Sequence, residues 1–248
     1  MPDQPSAPPK PVSEIWRPEL IVLPRLTLAR RAFRVFYRYC MKLLVLLTMR
    51  AVVNGLENIP KKGPALLVGN HSGNADVVLG AAVIPHSAEW IGKIENRDDH
   101  WLVGPIFRAY GFIWIHRGRP DKKALRVALE ALANGRMVII APEGRQTLTG
   151  GLEEGTDGAT FLALKSGAPV VPIAIAGAEN SNVYGHLRKF RRATVTFTIG
   201  KPFHIREQPD RRDSIRAGTR QIMEALARML PPERRGQYNY VSHTYEIE

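Results

Sequence analysis

Ala65-Leu66-Leu67-Val68-Gly69-Asn70-His71-Ser72-Gly73-Asn74-Ala75-Asp76 is the stretch on which the fold turns. Four apolar residues in a row read as a buried strand, and a polar turn carrying two glycines follows. The apolar spacing of 77–83 then reads as a helix. The same phrase recurs downstream. Apolar runs at 90–94, 112–115, 138–141 and 170–176 alternate with helical patterns at 101–110, 122–132 and 160–165. A late strand at 195–199 and an amphipathic helix at 214–230 close the pattern. Such alternation predicts an α/β fold, a mixed, largely parallel sheet flanked by helices.

Composition narrows the classes of function. With 44% hydrophobic and 23% charged residues in 248, the chain is too apolar for wholesale disorder and long enough for a full core. Its single cysteine, Cys40, excludes an intrachain disulfide, a thiolate zinc cluster and a CxxC redox pair. The net charge of +12 points to a polyanionic partner: an anionic bilayer, a phosphorylated substrate or nucleic acid. That charge is local. Residues 25–50 hold seven basic side chains and no acid, and Arg188-Lys189-Phe190-Arg191-Arg192 holds four more. Outside these two runs basic and acidic residues nearly balance.

The N-terminal region divides in two. Residues 1–24 open with five prolines in the first eleven positions and an early Asp3, which predicts a disordered, Pro-rich lead-in without the basic and apolar regions of a signal peptide. Residues 25–55 then predict a basic amphipathic helix. Leu28, Ala32, Phe33, Phe36, Cys40, Leu43, Leu44 and Leu47 recur at helical steps, with Arg30, Arg31, Arg34, Arg38 and Lys42 largely between them. An aromatic and leucine face beside a basic flank suits a helix lying flat on an anionic membrane surface. No apolar run approaches the ~20 residues of a transmembrane helix. The remaining 56–248 form the expected α/β body.

Four constellations carry chemistry. His71 stands at a strand's carboxyl end, where open α/β sheets place their sites, and Asp76 falls in the first helical turn beyond it. With Gly73 allowing a tight bend, the Asp76 carboxylate can fix one imidazole nitrogen and leave the other as a general base. The serine comes one place too late for a G-x-S-x-G nucleophile, and no HExxH or CxxC spacing suggests a metal. Arg117 ends the run 111–117, and Lys93 on the preceding strand can stand beside it as a phosphate clamp. Glu143, Gly144 and Arg145 leave a third strand, a carboxylate for hydroxyls and a guanidinium for phosphate. Val170-Val171-Pro172-Ile173 is an apolar wall.

In one order these motifs read NHxxxxD (70–76), GxxxIxR (111–117), PEG with basic and hydroxyl residues (142–147) and VVPI (170–173). Together they resemble the lysophospholipid/glycerolipid acyltransferase family over about residues 55–205. The resemblance implies transfer of an acyl group from acyl-CoA or acyl carrier protein to the hydroxyl of a lysophospholipid acceptor, lysophosphatidic acid above all. His71 becomes the base and Asp76 its orienting partner. Lys93 and Arg117 hold the acceptor phosphate, while Glu143, Gly144 and Arg145 shape the acceptor site. It implies no cofactor beyond the thioester co-substrate, no nucleic acid, and a place at the cytoplasmic face of the cell membrane, peripheral or monotopic. One departure stands out: where the family writes Gly-Thr-Arg-Ser after the glutamate, this chain has Gly144-Arg145-Gln146-Thr147. A different lysolipid acceptor, such as a lyso-aminolipid, stays open on that ground. A non-catalytic anionic-lipid or nucleic-acid binding protein is the rival class.

Overall fold

Residues 8–85, 87–98, 101–118 and 120–241 are described by the computed structural model. The apolar runs become strands because each is sealed on both faces: Leu66, Leu67, Val138, Val170 and Val171 are wholly buried. Seven strands form one sheet: β1 (Met49–Asn54), β2 (Ala65–Gly69), β3 (Glu89–Lys93), β4 (Ile113–Ile115), β5 (Met137–Ile140), β6 (Val170–Ala176) and β7 (Ala193–Ile199). Their order is β1-β7-β6-β2-β5-β3-β4. Every pairing is parallel except β6 with β7, so the expected mixed, largely parallel sheet is the architecture found.

Seven helices flank it: α1 (Leu28–Thr48), α2 (Ala75–Val83), α3 (Val103–Tyr110), α4 (Lys122–Ala133), α5 (Gly158–Ser166), α6 (Asn180–Leu187) and α7 (Arg211–Met229). Side-chain caps start several of them. Asp121 accepts from the Lys123 and Ala124 amides at α4, and Asp210 from those of Arg212 and Asp213 at α7. Thr27 caps α1 in the same way.

The basic helix departs from expectation in extent and in orientation. It ends at Thr48, and the chain then turns into β1, an edge strand paired along its length with β7, so residues 49–54 belong to the body. Three of its four arginines, Arg30, Arg34 and Arg38, face inward, while Arg31 is exposed. Arg34, 1% exposed, makes a bidentate ion pair with Glu89 and donates to the Tyr110 carbonyl at 2.8 Å. Arg30 donates to the Ala109 carbonyl, and Arg38 to those of Ala82 and Val83. These carbonyls are the unpaired C-terminal ends of α2 and α3, where the helix dipole is negative and a guanidinium is favoured. Much of the apolar stripe remains outside: Leu28, Val35, Phe36, Tyr39, Leu43, Leu46 and Leu47 are exposed, together with Arg31 and Lys42.

The Pro-rich lead-in is likewise ordered from Pro8 onward, against the expectation of disorder for 1–24; residues 1–7 lie outside the described residues. Lacking N–H groups, its prolines act through their carbonyls, and Pro8 and Pro9 both accept from Arg145 Nη1. Lys10 Nζ donates to the Glu154 carbonyl at 2.8 Å. Ser13 exchanges two hydrogen bonds with the Arg117 backbone, and the Trp16 ring lies 4.2 Å from that of His116. Ile21 ends the strap as a fully buried core residue. The segment therefore crosses the carboxyl ends of β5 and β4.

Candidate active site

His71 lies just past the end of β2 and Asp76 in the first turn of α2, and the intervening loop folds the carboxylate back onto the ring. Asp76 Oδ2 is 2.9 Å from His71 Nδ1 and also accepts the Ser72 and Gly73 amides at 2.6 and 2.9 Å. Its Oδ1 accepts the Ser72 hydroxyl at 3.0 Å. A carboxylate so surrounded by donors is fixed in place, and as an acceptor it selects the tautomer that carries its proton on Nδ1. Nε2 is left as the basic nitrogen, without a hydrogen-bond partner among the described residues, on a side chain 29% exposed. Gly73 is required by packing. A Cβ there would collide with the Ala178 carbonyl oxygen in the loop after β6.

The loop bearing His71 is held from both neighbouring strands. On the β6 side, the Asn70 carboxamide clamps Ile175, accepting its N–H at 2.7 Å and donating to its carbonyl at 2.9 Å. On the β5 side, Glu143 Oε1 accepts the His71 amide at 2.9 Å while Oε2 accepts the Glu153 amide at 2.8 Å. The Thr147 amide donates to the His71 carbonyl, and Gln146 Nε2 to that of Ser72. Burial pushes the Glu143 carboxyl up to about 7, against the pull of those two amides. Gly144 follows in the left-handed conformation, φ 71°, that turns the chain back beneath the loop.

The cationic residues divide. Lys93 closes β3 in register with Ile115 of β4, so Lys93 and Arg117 stand at neighbouring strand ends. Arg117 Nε and Glu95 Oε2 face each other at 3.9 Å, both buried and both without a hydrogen bond. Arg145 differs from expectation. It is buried, with Nε 2.5 Å from Glu153 Oε2 and Nη1 on the strap carbonyls, so its guanidinium is consumed inside the protein. Pro172 is buried within β6, in register with Val68 of β2.

Sequence reasoning missed several supporting groups. Asn70 and Ser72 stand inside the quoted motif, but only the fold shows that they brace it. Glu153 and Glu179 lie in loops without periodicity, and Arg234 comes from the far C-terminal segment to pair with Glu179 at 3.2 Å beside the same loop. A second His-Asp pair, His116 and Asp121, repeats the five-residue spacing at the end of β4.

His71, backed by Asp76, thus stands at the carboxyl end of β2, the same end of the sheet at which Lys93 and Arg117 leave β3 and β4. The family model described as Acyltransferase matches residues 50–176, slightly more than half of the chain, and the protein belongs to that family. Among curated relatives, the "Probable 1-acyl-sn-glycerol-3-phosphate acyltransferase" of Mycoplasma pneumoniae is 28% identical over 167 residues, 64% of this chain and 60% of its own length. A chloroplastic 1-acyl-sn-glycerol-3-phosphate acyltransferase of Arabidopsis thaliana is 29% identical over 159 residues, 61% of this chain and 43% of its own. The chain thus spans about 60% or less of the length of these relatives. The crystal structure of the 1-acyl-sn-glycerophosphate acyltransferase PlsC of Thermotoga maritima shares the fold, with a TM-score of 0.59 at 22% identity, over 81% of this chain and 83% of that one.

Proposed function

We infer that the protein transfers a fatty acyl group from a thioester, acyl-CoA or acyl carrier protein, to the hydroxyl of a lysoglycerolipid of the 1-acyl-sn-glycerol-3-phosphate class. The observation that carries this reading is the His71–Asp76 pair with Nε2 open at the rim. Nε2 takes the acceptor hydroxyl's proton as the oxygen attacks the thioester carbonyl, and the ring becomes imidazolium, held by the Asp76 charge. The tetrahedral intermediate collapses with loss of a thiolate, which takes back the proton. No acyl-enzyme is needed, and Cys40 lies on α1 away from the site.

Acceptor recognition follows from the same rim. Arg117 and Lys93, at neighbouring strand ends, supply the charges for an acceptor phosphate. A long apolar substrate must be drawn from a bilayer, and α1 offers an unpartnered apolar stripe for that surface. Among the described residues no helix is long and apolar enough to cross a membrane, so the contact proposed is with one face of it.

The test is a thioester-consumption assay with and without lysophosphatidic acid. His71→Ala should lower acceptor-dependent turnover about 10²–10⁴-fold, with melting temperature and vesicle binding unchanged. Near-normal turnover in that variant would overturn the mechanism.

A further inference from the structure

Helix α6 ends in a turn whose sequence its geometry does not explain. The Phe190 amide donates to the Leu187 carbonyl at 2.9 Å and the Arg191 amide to that of His186 at 3.0 Å, the paired bonds of a Schellman cap. Such a cap needs a left-handed residue between them, usually glycine. After α3 and α5 that place is filled by Gly111 and Gly167. Here it is Phe190, at φ 52°, the one non-glycine residue with positive φ among the described residues. Its ring is also 101% exposed. A strained backbone and a fully hydrated aromatic ring thus coincide, and no contact among the described residues offsets either.

The surroundings say what the ring meets. Arg188, Lys189, Arg191 and Arg192 flank it, all exposed, and none forms an ion pair among the described residues. Arg192 Nη1 donates to the Leu46 carbonyl at 3.0 Å, tying the turn to the last turn of α1, where Leu43, Leu46 and Leu47 are exposed. Strand register places the turn past the carboxyl end of β6: Ala176 pairs with Thr196, and the chain enters β7 at Ala193. The His71 rim lies at that same end of the sheet.

We propose that the turn 188–192 is a membrane-inserting finger. Phe190 enters the apolar layer of an anionic bilayer, Arg188, Lys189 and Arg191 contact its headgroups, and α1's stripe docks beside it. The inference rests on the lipid acyltransferase reading and adds a second, basic anchor to it. An apolar tip ringed by cations complements anionic headgroups over hydrocarbon. Nucleic acid could use the charges and stack on the ring, but it has no use for Leu43, Leu46 and Leu47 beside them.

Phe190→Gly separates this role from a structural one, because the two predict opposite signs. Glycine relieves the left-handed backbone, so melting temperature should rise. Co-sedimentation with vesicles of phosphatidylcholine containing about one-third phosphatidylglycerol should weaken roughly tenfold, as an aromatic side chain is lost from the bilayer. Turnover on detergent-dispersed lysolipid should stay as in wild type. Arg188→Gln/Lys189→Gln/Arg191→Gln should weaken binding to the anionic vesicles, flatten its salt dependence and leave pure phosphatidylcholine binding unchanged. A Phe190→Gly protein that sediments like wild type, or one that melts lower, would overturn the finger. So would loop variants that lose RNA retention with vesicle binding intact. If Phe36→Ser/Leu43→Ser/Leu47→Ser loses vesicle binding while both loop variants keep it, the finger fails and the α1 contact stands. If wild type binds neither vesicle, both fail.

Discussion

Glu143→Gln isolates the least obvious part of the site. In the folded protein this carboxyl is pushed up to about 7 by burial, from an ordinary value of 4.5. A carboxyl raised on folding binds its proton more tightly in the native state, so stability falls as pH rises between the unfolded and folded values. The shift of roughly 2.5 units corresponds to about 3 kcal/mol, fully felt above pH ~8 and absent below pH ~4. About 2 kcal/mol of that lies between pH 5.5 and 8. Glutamine does not titrate, so the variant lacks this slope. It carries a different penalty, constant with pH. The two oxygens of Glu143 accept two amides, from His71 and Glu153, and a carboxamide can accept only one of them. The other amide is left facing an NH₂ group, at a cost of about 1–3 kcal/mol. The wild type should therefore lose about 2 kcal/mol of stability relative to the variant between pH ~5.5 and pH ~8, so that it compares best at the acid end and worst at the alkaline end.

The assay is urea unfolding of both proteins across that range, read by tryptophan fluorescence. Every other titrating group is common to the two, so the difference curve isolates position 143. Turnover should fall about tenfold or more with little change in the Michaelis constants, because the lost contact positions the His71 loop and touches no substrate. Parallel stability curves would refute the burial argument, and unchanged turnover would refute the positioning role.

Two further outcomes follow from the contacts. Asp76→Asn keeps the shape but removes the charge beside Nδ1, so turnover in the thioester assay should fall about 10²–10⁴-fold with vesicle binding intact. Arg34→Gln leaves the buried Glu89 carboxylate with Arg136 as its remaining ion-pair partner, so denaturation should show a loss of about 3–5 kcal/mol while the affinity of the folded fraction for anionic vesicles is unchanged.

The sheet was legible because its strands are buried on both faces and so appear as unbroken apolar runs, from Leu66-Leu67-Val68 to Ile173-Ala174-Ile175. The orientation of α1 was not. Arg30, Arg34 and Arg38 form a stripe at four-residue steps as regular as the apolar one, and amphipathy alone does not say which stripe faces inward. The decision was made by groups 44 to 79 positions away in sequence, the carbonyls ending α2 and α3 and the Glu89 carboxylate. The strap was hidden for a related reason. Its composition suits disorder, yet what fixes it is a set of cations and backbone groups on the body that accept or supply hydrogen bonds to an extended chain.

The two His-Asp pairs show what spacing can and cannot carry. His71 with Asp76 and His116 with Asp121 are each five residues apart, each with a strand-end histidine and a carboxylate at the start of a helix, and each with Nδ1 bonded to Oδ2, at 2.9 and 2.7 Å. For Asp121, burial raises the carboxyl, but the Ala124 and His116 amides and the His116 ring outweigh it and hold it below the usual range. Judged by this bond alone, the second pair is as good a dyad as the first. The difference lies at the other nitrogen. His116 Nε2 accepts the Arg17 amide at 2.9 Å, the Trp16 ring covers it, and its side chain is 1% exposed. A base must have a free lone pair within reach of a proton, and that of His116 Nε2 is engaged by the Arg17 amide and shut off from solvent. It anchors the strap, whereas His71, braced equally well, keeps Nε2 open at the rim. An aspartate five residues on orients a histidine in either case, and what the remaining nitrogen touches decides whether that histidine can act as a base.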